Sequence, residues 1–122
     1  MVIEREADGE AIFLHGHLME SCEDDVELSI EVLQDFRETT PSRLSRLFAA
    51  VEADDPNLVR FEAHSLKGSA RTIGAEALAV VGARLEEAGK RGDLSDAHVL
   101  LAETERRLHN LNYLLAAHLS DL

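Results

Sequence analysis

The chain is 122 residues long, the size of one domain, and its 45% apolar and 30% charged residues describe a globular rather than a disordered polypeptide. Twenty-four acidic residues outweigh 12 basic ones for a formal charge of −12, which opposes binding to nucleic-acid phosphates or an anionic membrane surface. Cys22 is the only cysteine, so an internal disulfide is excluded, and no apolar run approaches the roughly 20 residues of a membrane span. The start MVIEREADGE lacks the basic residues and apolar run of a secretory signal, and a cytoplasmic protein of one domain, residues 1–122, is expected.

Pro41 and Pro56 are the only prolines, no strand-like alternation occurs, and Leu, Ala, Glu and Arg are abundant, so the expected class is all-α. A short amphipathic helix is read at about residues 10–20. A long helix follows at about 24–53, where Val26, Ile30, Leu33, Phe36, Thr40, Leu44, Leu47 and Val51 form one stripe at three- and four-residue steps. The stripe keeps its phase across Pro41, which predicts a kink, although Thr39-Thr40-Pro41-Ser42 is equally readable as a stop and a restart.

Asp54-Asp55-Pro56 suits a helix start. The helix at about 56–72 turns Val59, Ala63, Leu66, Ala70 and Ile73 inward, with Leu58 and Phe61 at the margin and Gly74 as its stop. The next, at about 75–90, has Leu78, Val81, Leu85 and Ala88 in phase, and Gly89 and Gly92 flank the turn after it. Capped by Asp93 or Ser95, a last helix at about 95–119 aligns Ala97, Leu101, Thr104, Leu108, Leu111 and Leu115. Short turns make successive helices antiparallel neighbours, so the expected architecture is an up-down-up-down four-helix bundle with the short helix added at its N-terminus.

Chemistry concentrates on the helix after Pro56. One position beyond its core stripe stand Arg60, His64, Lys67 and Arg71, which predicts an outward face where basic side chains surround a histidine. Such a cluster in an acidic chain raises the local potential toward a phosphate or a carboxylate. Gly68 follows His64 by four residues in mid-helix, where glycine costs about 1 kcal/mol relative to alanine. A cleared surface that lets a partner's backbone approach the imidazole would compensate for that cost. An exposed imidazole with the ordinary pKa of about 6.5 is substantially neutral near pH 7 and so nucleophilic. If this helix and the next fold back about residues 72–75, the strip Ala79, Gly82, Ala83 and Glu86 faces His64, and Glu86 is the expected orienting carboxylate.

The run Ala63-His64-Ser65-Leu66-Lys67-Gly68-Ser69-Ala70, followed by Ile73-Gly74, resembles the signature of histidine-containing phosphotransfer domains. The likeness extends over about residues 24–93, through FRETTPSRL, Asp54-Asp55-Pro56, Leu85-Glu86 and Gly92-Asp93. The resemblance implies that His64 accepts a phosphoryl group, that Lys67 neighbours the phosphate and that Gly68 is the small residue of a docking face. It also implies a polar contact to the histidine from the next helix, which matches Glu86, and a helix-ending glycine, which matches Gly74. The segment DGEAIFLHGHLMESC matches weakly.

Competing chemistries are excluded on spacing. His15 and His17, near Cys22, point in different directions on a helix and do not make a metal site, and His98, His109 and His118 fall on the last helix's flanks. Asp24, Asp25, Asp54 and Asp55 read as caps and turns rather than magnesium ligands. Ser65 and Ser69 lack a strained nucleophile turn, and a glycine-rich phosphate loop is missing, which excludes a hydrolase and a kinase. The expected function is therefore a phosphorelay intermediate without kinase activity of its own, exchanging a phosphoryl group between His64 and an aspartate of a response-regulator receiver domain. Arg60, Phe61, Gly68 and Arg71 would border the phosphate or the partner, with Lys67 and Glu86 assisting His64. A sensor or hybrid histidine kinase is the other expected partner, the chain is expected to be a monomer without cofactor, and magnesium is expected only in the receiver. A helical adaptor that binds a receiver or kinase without carrying phosphate is the alternative.

Overall fold

The computed structural model describes residues 3–122. It contains α1 (His15–Ser21), α2 (Val26–Glu52), α3 (Pro56–Ile73), α4 (Glu76–Arg91) and α5 (Ala97–Ser120). Among the described residues the only β pairing is an isolated antiparallel bridge between Arg5 and Ala11. Helices α2 to α5 form a closed ring of neighbours, with α3 against α4 the most extensive contact, and α1 lies across α2 and α3. The protein is all-α, as the periodicity predicts.

Local chemistry explains where the helices begin and end. The Asp25 carboxylate accepts from the Leu28 N–H at 3.0 Å and the Asp55 carboxylate from the Leu58 N–H at 3.2 Å, each satisfying one orphan donor of a first turn. Pro56 occupies the first turn of α3, where its missing N–H costs nothing. Gly74 and Gly92 close α3 and α4 in the left-handed region, at φ 83° and 69°. Pro41 removes one donor inside α2, yet the helix runs through it, because the exposed proline leaves the freed carbonyl open to water.

The core is the set of inward stripes. Val59, Ala63, Leu66, Ala70 and Ile73 of α3 are all buried, as are Leu78, Val81, Leu85 and Ala88 of α4 and the six expected positions of α5 from Ala97 to Leu115. Three expectations are corrected. Val26 is 52% exposed, because it is the first residue of α2 and projects beyond the neighbouring helices. Neither Asp93 nor Ser95 caps α5: the Asp93 carboxylate accepts from the Ser95 N–H and Oγ, and Asp96 stands at the cap position without a side-chain bond.

The N-terminal helix starts at His15 rather than near residue 10, because charge holds the preceding segment on α5 as a tight turn over Glu6–Glu10, closed by the Arg5–Ala11 bridge. The Arg107 guanidinium, 4% exposed, donates to Glu10 (2.8 Å), Asp8 (2.6 Å), Glu103 (2.7 Å) and the Ala77 carbonyl (2.8 Å). Arg106 and Asn110 hold the buried Glu6 beside it. These bonds satisfy the carboxylates in a turned-back strap, which competes successfully with a marginal short helix. The Leu14 N–H then donates to the Gly74 carbonyl at 2.9 Å, setting α1 over the α3–α4 turn.

Candidate functional site

The outward line of α3 is Phe61, His64, Gly68 and Arg71, at steps of three and four residues. Phe61 is 63% exposed, the His64 side chain 68%, and a Cβ built on Gly68 would meet nothing within 4 Å. Arg60 and Arg71 are exposed on the same helix. Lys67 departs from the expected outward stripe: its side chain is only 15% exposed and turns toward α4.

That turn brings Lys67 to Glu86. The Lys67 ammonium donates to Glu86 Oε1, and His64 Nδ1 lies 2.5 Å from Glu86 Oε2. The carboxylate is buried, and small residues let the two helices come close enough for both contacts. A Cβ on Gly82 would lie 3.4 Å from the backbone of Lys67, and one on Gly89 only 2.6 Å from the Pro56 carbonyl and 2.7 Å from the Arg60 nitrogen. Any side chain at Gly89 would push α4 off α3 and withdraw Glu86 from His64.

The electrostatics follow from this bridge. The Lys67 ammonium holds the Glu86 carboxyl below the usual carboxylate range, burial opposes that shift, and the hydrogen bond with His64 adds to it. An ionised carboxylate only accepts hydrogen bonds, so Nδ1 of His64 carries the proton and the lone pair of a neutral ring resides on Nε2. The result is an exposed nucleophilic nitrogen on a ring fixed from behind.

Two further pairs brace this face, and the sequence alone did not single them out. Arg43 of α2 donates to the Ser65 carbonyl (3.1 Å) and to Ser69 Oγ (2.8 Å), and Arg46 pairs with the buried Glu62 at 3.3 Å. The only signal was a glutamate inside the motif helix on its inward side, which demands a cation from a neighbour. Among the described residues no group of three or more His, Cys, Asp or Glu could hold a metal ion. Cys22 is a buried free thiol. His98 and His109 are exposed, whereas His118 is partly buried against Phe13 and His15.

A helical bundle that presents one ring-fixed, solvent-facing histidine on a small-residue clearing defines a class of phosphoryl carriers rather than of kinases or hydrolases. Residues 31–120 match the family model of the Hpt domain, and the chain belongs to that family; it is a histidine phosphotransfer protein of phosphorelays. It is similar to histidine-containing phosphotransfer protein B (HptB) from Pseudomonas aeruginosa PAO1, with 29% identity and a TM-score of 0.85 over 91% of this chain and 96% of that one. The HPT domain of the Hpt sensor hybrid histidine kinase from Shewanella shares the fold at 18% identity, with a TM-score of 0.79 over 91% and 96% of the two chains. A comparison with curated protein sequences gives no match. Hpt domains work with histidine kinases and response regulators. No helix among the described residues is long and apolar enough to cross a membrane.

Proposed function

We propose that His64 is the residue that carries the phosphoryl group and that Nε2 is the atom that bears it. The observation that carries this reading is the hydrogen bond between Nδ1 and the ionised Glu86, which leaves Nε2 as the exposed lone pair. The partner in this reading is a receiver domain holding an aspartyl phosphate. Nε2 attacks phosphorus in line, the N–P bond forms as the bond from phosphorus to the aspartate oxygen breaks, and the aspartate leaves as a carboxylate. The proton stays on Nδ1, and Glu86 offsets the positive charge that the ring gains. Transfer onward is the same step reversed.

Glu86 fixes the tautomer and ring angle, and Lys67 keeps Glu86 ionised while placing a cation near the arriving phosphate. Gly68 leaves room for the partner's backbone, with Arg60, Phe61 and Arg71 around it. The magnesium that phosphoryl transfer from a receiver uses belongs to the receiver's site, and the protein acts as a cytoplasmic monomer with no cofactor of its own.

The test is transfer of labelled phosphate from phosphorylated receiver domains of response regulators. Acid-labile, alkali-stable label on the wild-type chain, absent from His64→Gln, supports the assignment. Label that persists on His64→Gln sinks it, and a receiver that binds wild type stably without ever labelling it would favour the adaptor.

A further inference from the structure

Helix α3 is gripped on both sides of the line from His64 to Gly68, and the two grips act on different atoms. On the α4 side, Glu86 binds the side chains of His64 and Lys67. On the α2 side, Arg43 binds the frame of the helix: one nitrogen, Nη1, donates to the Ser65 carbonyl at 3.1 Å and to Ser69 Oγ at 2.8 Å. Successive helix positions are about 100° apart, so His64 and Gly68 lie between Lys67 on one flank and Ser65 and Ser69 on the other. Arg46, one turn along α2, pairs with Glu62 at 3.3 Å and extends the second grip to the residues just before His64.

Ser65 and Ser69 are the two ends of one helical turn, which a backbone bond from the Ser69 N–H to the Ser65 carbonyl closes. That turn encloses Lys67 and Gly68. Glycine weakens a helix from within because its backbone has the most freedom to lose, and no side chain packs at Gly68 to restrain it. Arg43 joins both ends of the weakened turn from outside. Arg43, Ser65 and Ser69 are all half-buried, so water competes poorly for these bonds.

We infer that Arg43 is a positioning residue for phosphotransfer: it staples the turn from Ser65 to Ser69 closed, and so holds Lys67 against Glu86 and the imidazole at its working angle. The inference rests on the reading of His64 as the phosphoacceptor. The line of contacts is short. If the turn opens, Lys67 moves with it, Glu86 loses its cation, and the carboxylate no longer fixes Nδ1 of His64. In-line attack tolerates little misplacement, and an error of about 1 Å costs up to about 100-fold in rate. The glycine that clears the approach to the imidazole thus loosens the helix where rigidity is needed, and Arg43 offsets that loosening. Ser65 and Ser69 serve as its acceptors.

The experiment is single-turnover transfer from the phosphorylated receiver domain that labels the wild-type chain, over a range of receiver concentrations, beside nitrogen NMR of the His64 ring. Arg43→Met should lower the saturating rate about 5- to 10-fold and change the half-saturating receiver concentration less than about twofold. Its rate relative to wild type should be the same at about 0.05 M and about 0.5 M salt, because a short hydrogen bond is not screened as an exposed charge is. The His64 proton, held on Nδ1 in wild type, should divide between both ring nitrogens in Arg43→Met, and adding Gly68→Ala should return it toward Nδ1 by stiffening the turn. Ser69→Ala removes one acceptor with little risk to folding; it should slow transfer about 2- to 3-fold and add nothing to Arg43→Met. Arg37→Gln, which removes an exposed cation from the same helix, is the control and should change neither rate nor tautomer. A wild-type rate and tautomer in Arg43→Met, a loss confined to the half-saturating concentration, or a loss that salt abolishes overturns the inference. Label that survives His64→Gln is a separate failure, that of the phosphoacceptor reading.

Discussion

Glu86 is the residue on which the proposed mechanism can be tested most severely. Glu86→Gln keeps the shape and an oxygen that can accept from His64 Nδ1, but it removes the charge and leaves the Lys67 ammonium, 15% exposed, without its carboxylate. Glu86→Ala removes both contacts. A hydrogen bond to a charged group is worth about 1.5–3 kcal/mol and a neutral one about 0.5–1.5 kcal/mol. The glutamine should therefore retain about half of the bridge, a loss of about 1–1.5 kcal/mol, or a phosphotransfer rate about 5- to 12-fold slower if the bond is fully expressed in the transition state. Alanine should lose about 2–3 kcal/mol, or about 30- to 150-fold. The assay is single-turnover transfer of label from phosphorylated receiver, with the histidine tautomer read by nitrogen NMR. Wild type and the glutamine variant should show the proton on Nδ1 of His64, and the alanine variant a mixture of tautomers. If alanine transfers as fast as wild type, or wild type holds the proton on Nε2, the orienting role assigned to Glu86 is wrong.

Other variants probe the remaining parts. Gly68→Ala should stabilise the fold by up to about 1 kcal/mol, or roughly 4 °C in Tm for a chain of this length, because its Cβ meets nothing and helix propensity improves. Gly68→Gln should fold normally yet slow transfer at least about tenfold by obstructing the approach to the imidazole, and calorimetry beside the transfer assay separates the two effects. Arg107→Met removes a buried guanidinium from Glu10, Asp8, Glu103 and the Ala77 carbonyl, and about 3 kcal/mol is expected, roughly 12 °C in Tm; an unchanged melting temperature would show that the N-terminal strap contributes nothing. Arg106 and Arg107 hold the Glu103 carboxyl down to about 2, so its stabilising effect is complete above the unfolded value near 4.5 and is lost as pH falls from there toward 2. Acid titration by circular dichroism should show that slope, flattened in Glu103→Gln. Burial, aided by the charge of His15, lowers the His118 pKa, so the folded state binds protons less readily than the unfolded one. Its contribution is present above the unfolded value of about 6.5 and declines as pH falls below it, and His118→Phe should remove that part of the Tm difference between about pH 7.5 and about pH 5.5.

Periodicity, capping residues and the motif around His64 were enough to read an all-α bundle, nearly every core position of α3, α4 and α5, and the shared outward face of Phe61, His64, Gly68 and Arg71. Those features are local: a helix face is set by residues three and four apart, and a cap by residues three apart, so both are legible along the chain. Glu86 was also within reach, because a tight turn between two helices makes residues equidistant from it face each other. The destinations of long-range cations were not legible. Lys67 shares a phase with Arg60 and Arg71, and only the close approach of α4 at Gly82 and Gly89 turns it inward to Glu86. Nor could a helical pattern near residue 10 anticipate that Arg106 and Arg107, some hundred residues later, would draw Glu6, Asp8 and Glu10 into a turned-back strap. By itself the sequence determined which side chains share a face and which histidine stands exposed on it. The tertiary structure decided which charges are neutralised and which remain free, because ion pairing depends on distances between helices that no spacing along the chain encodes.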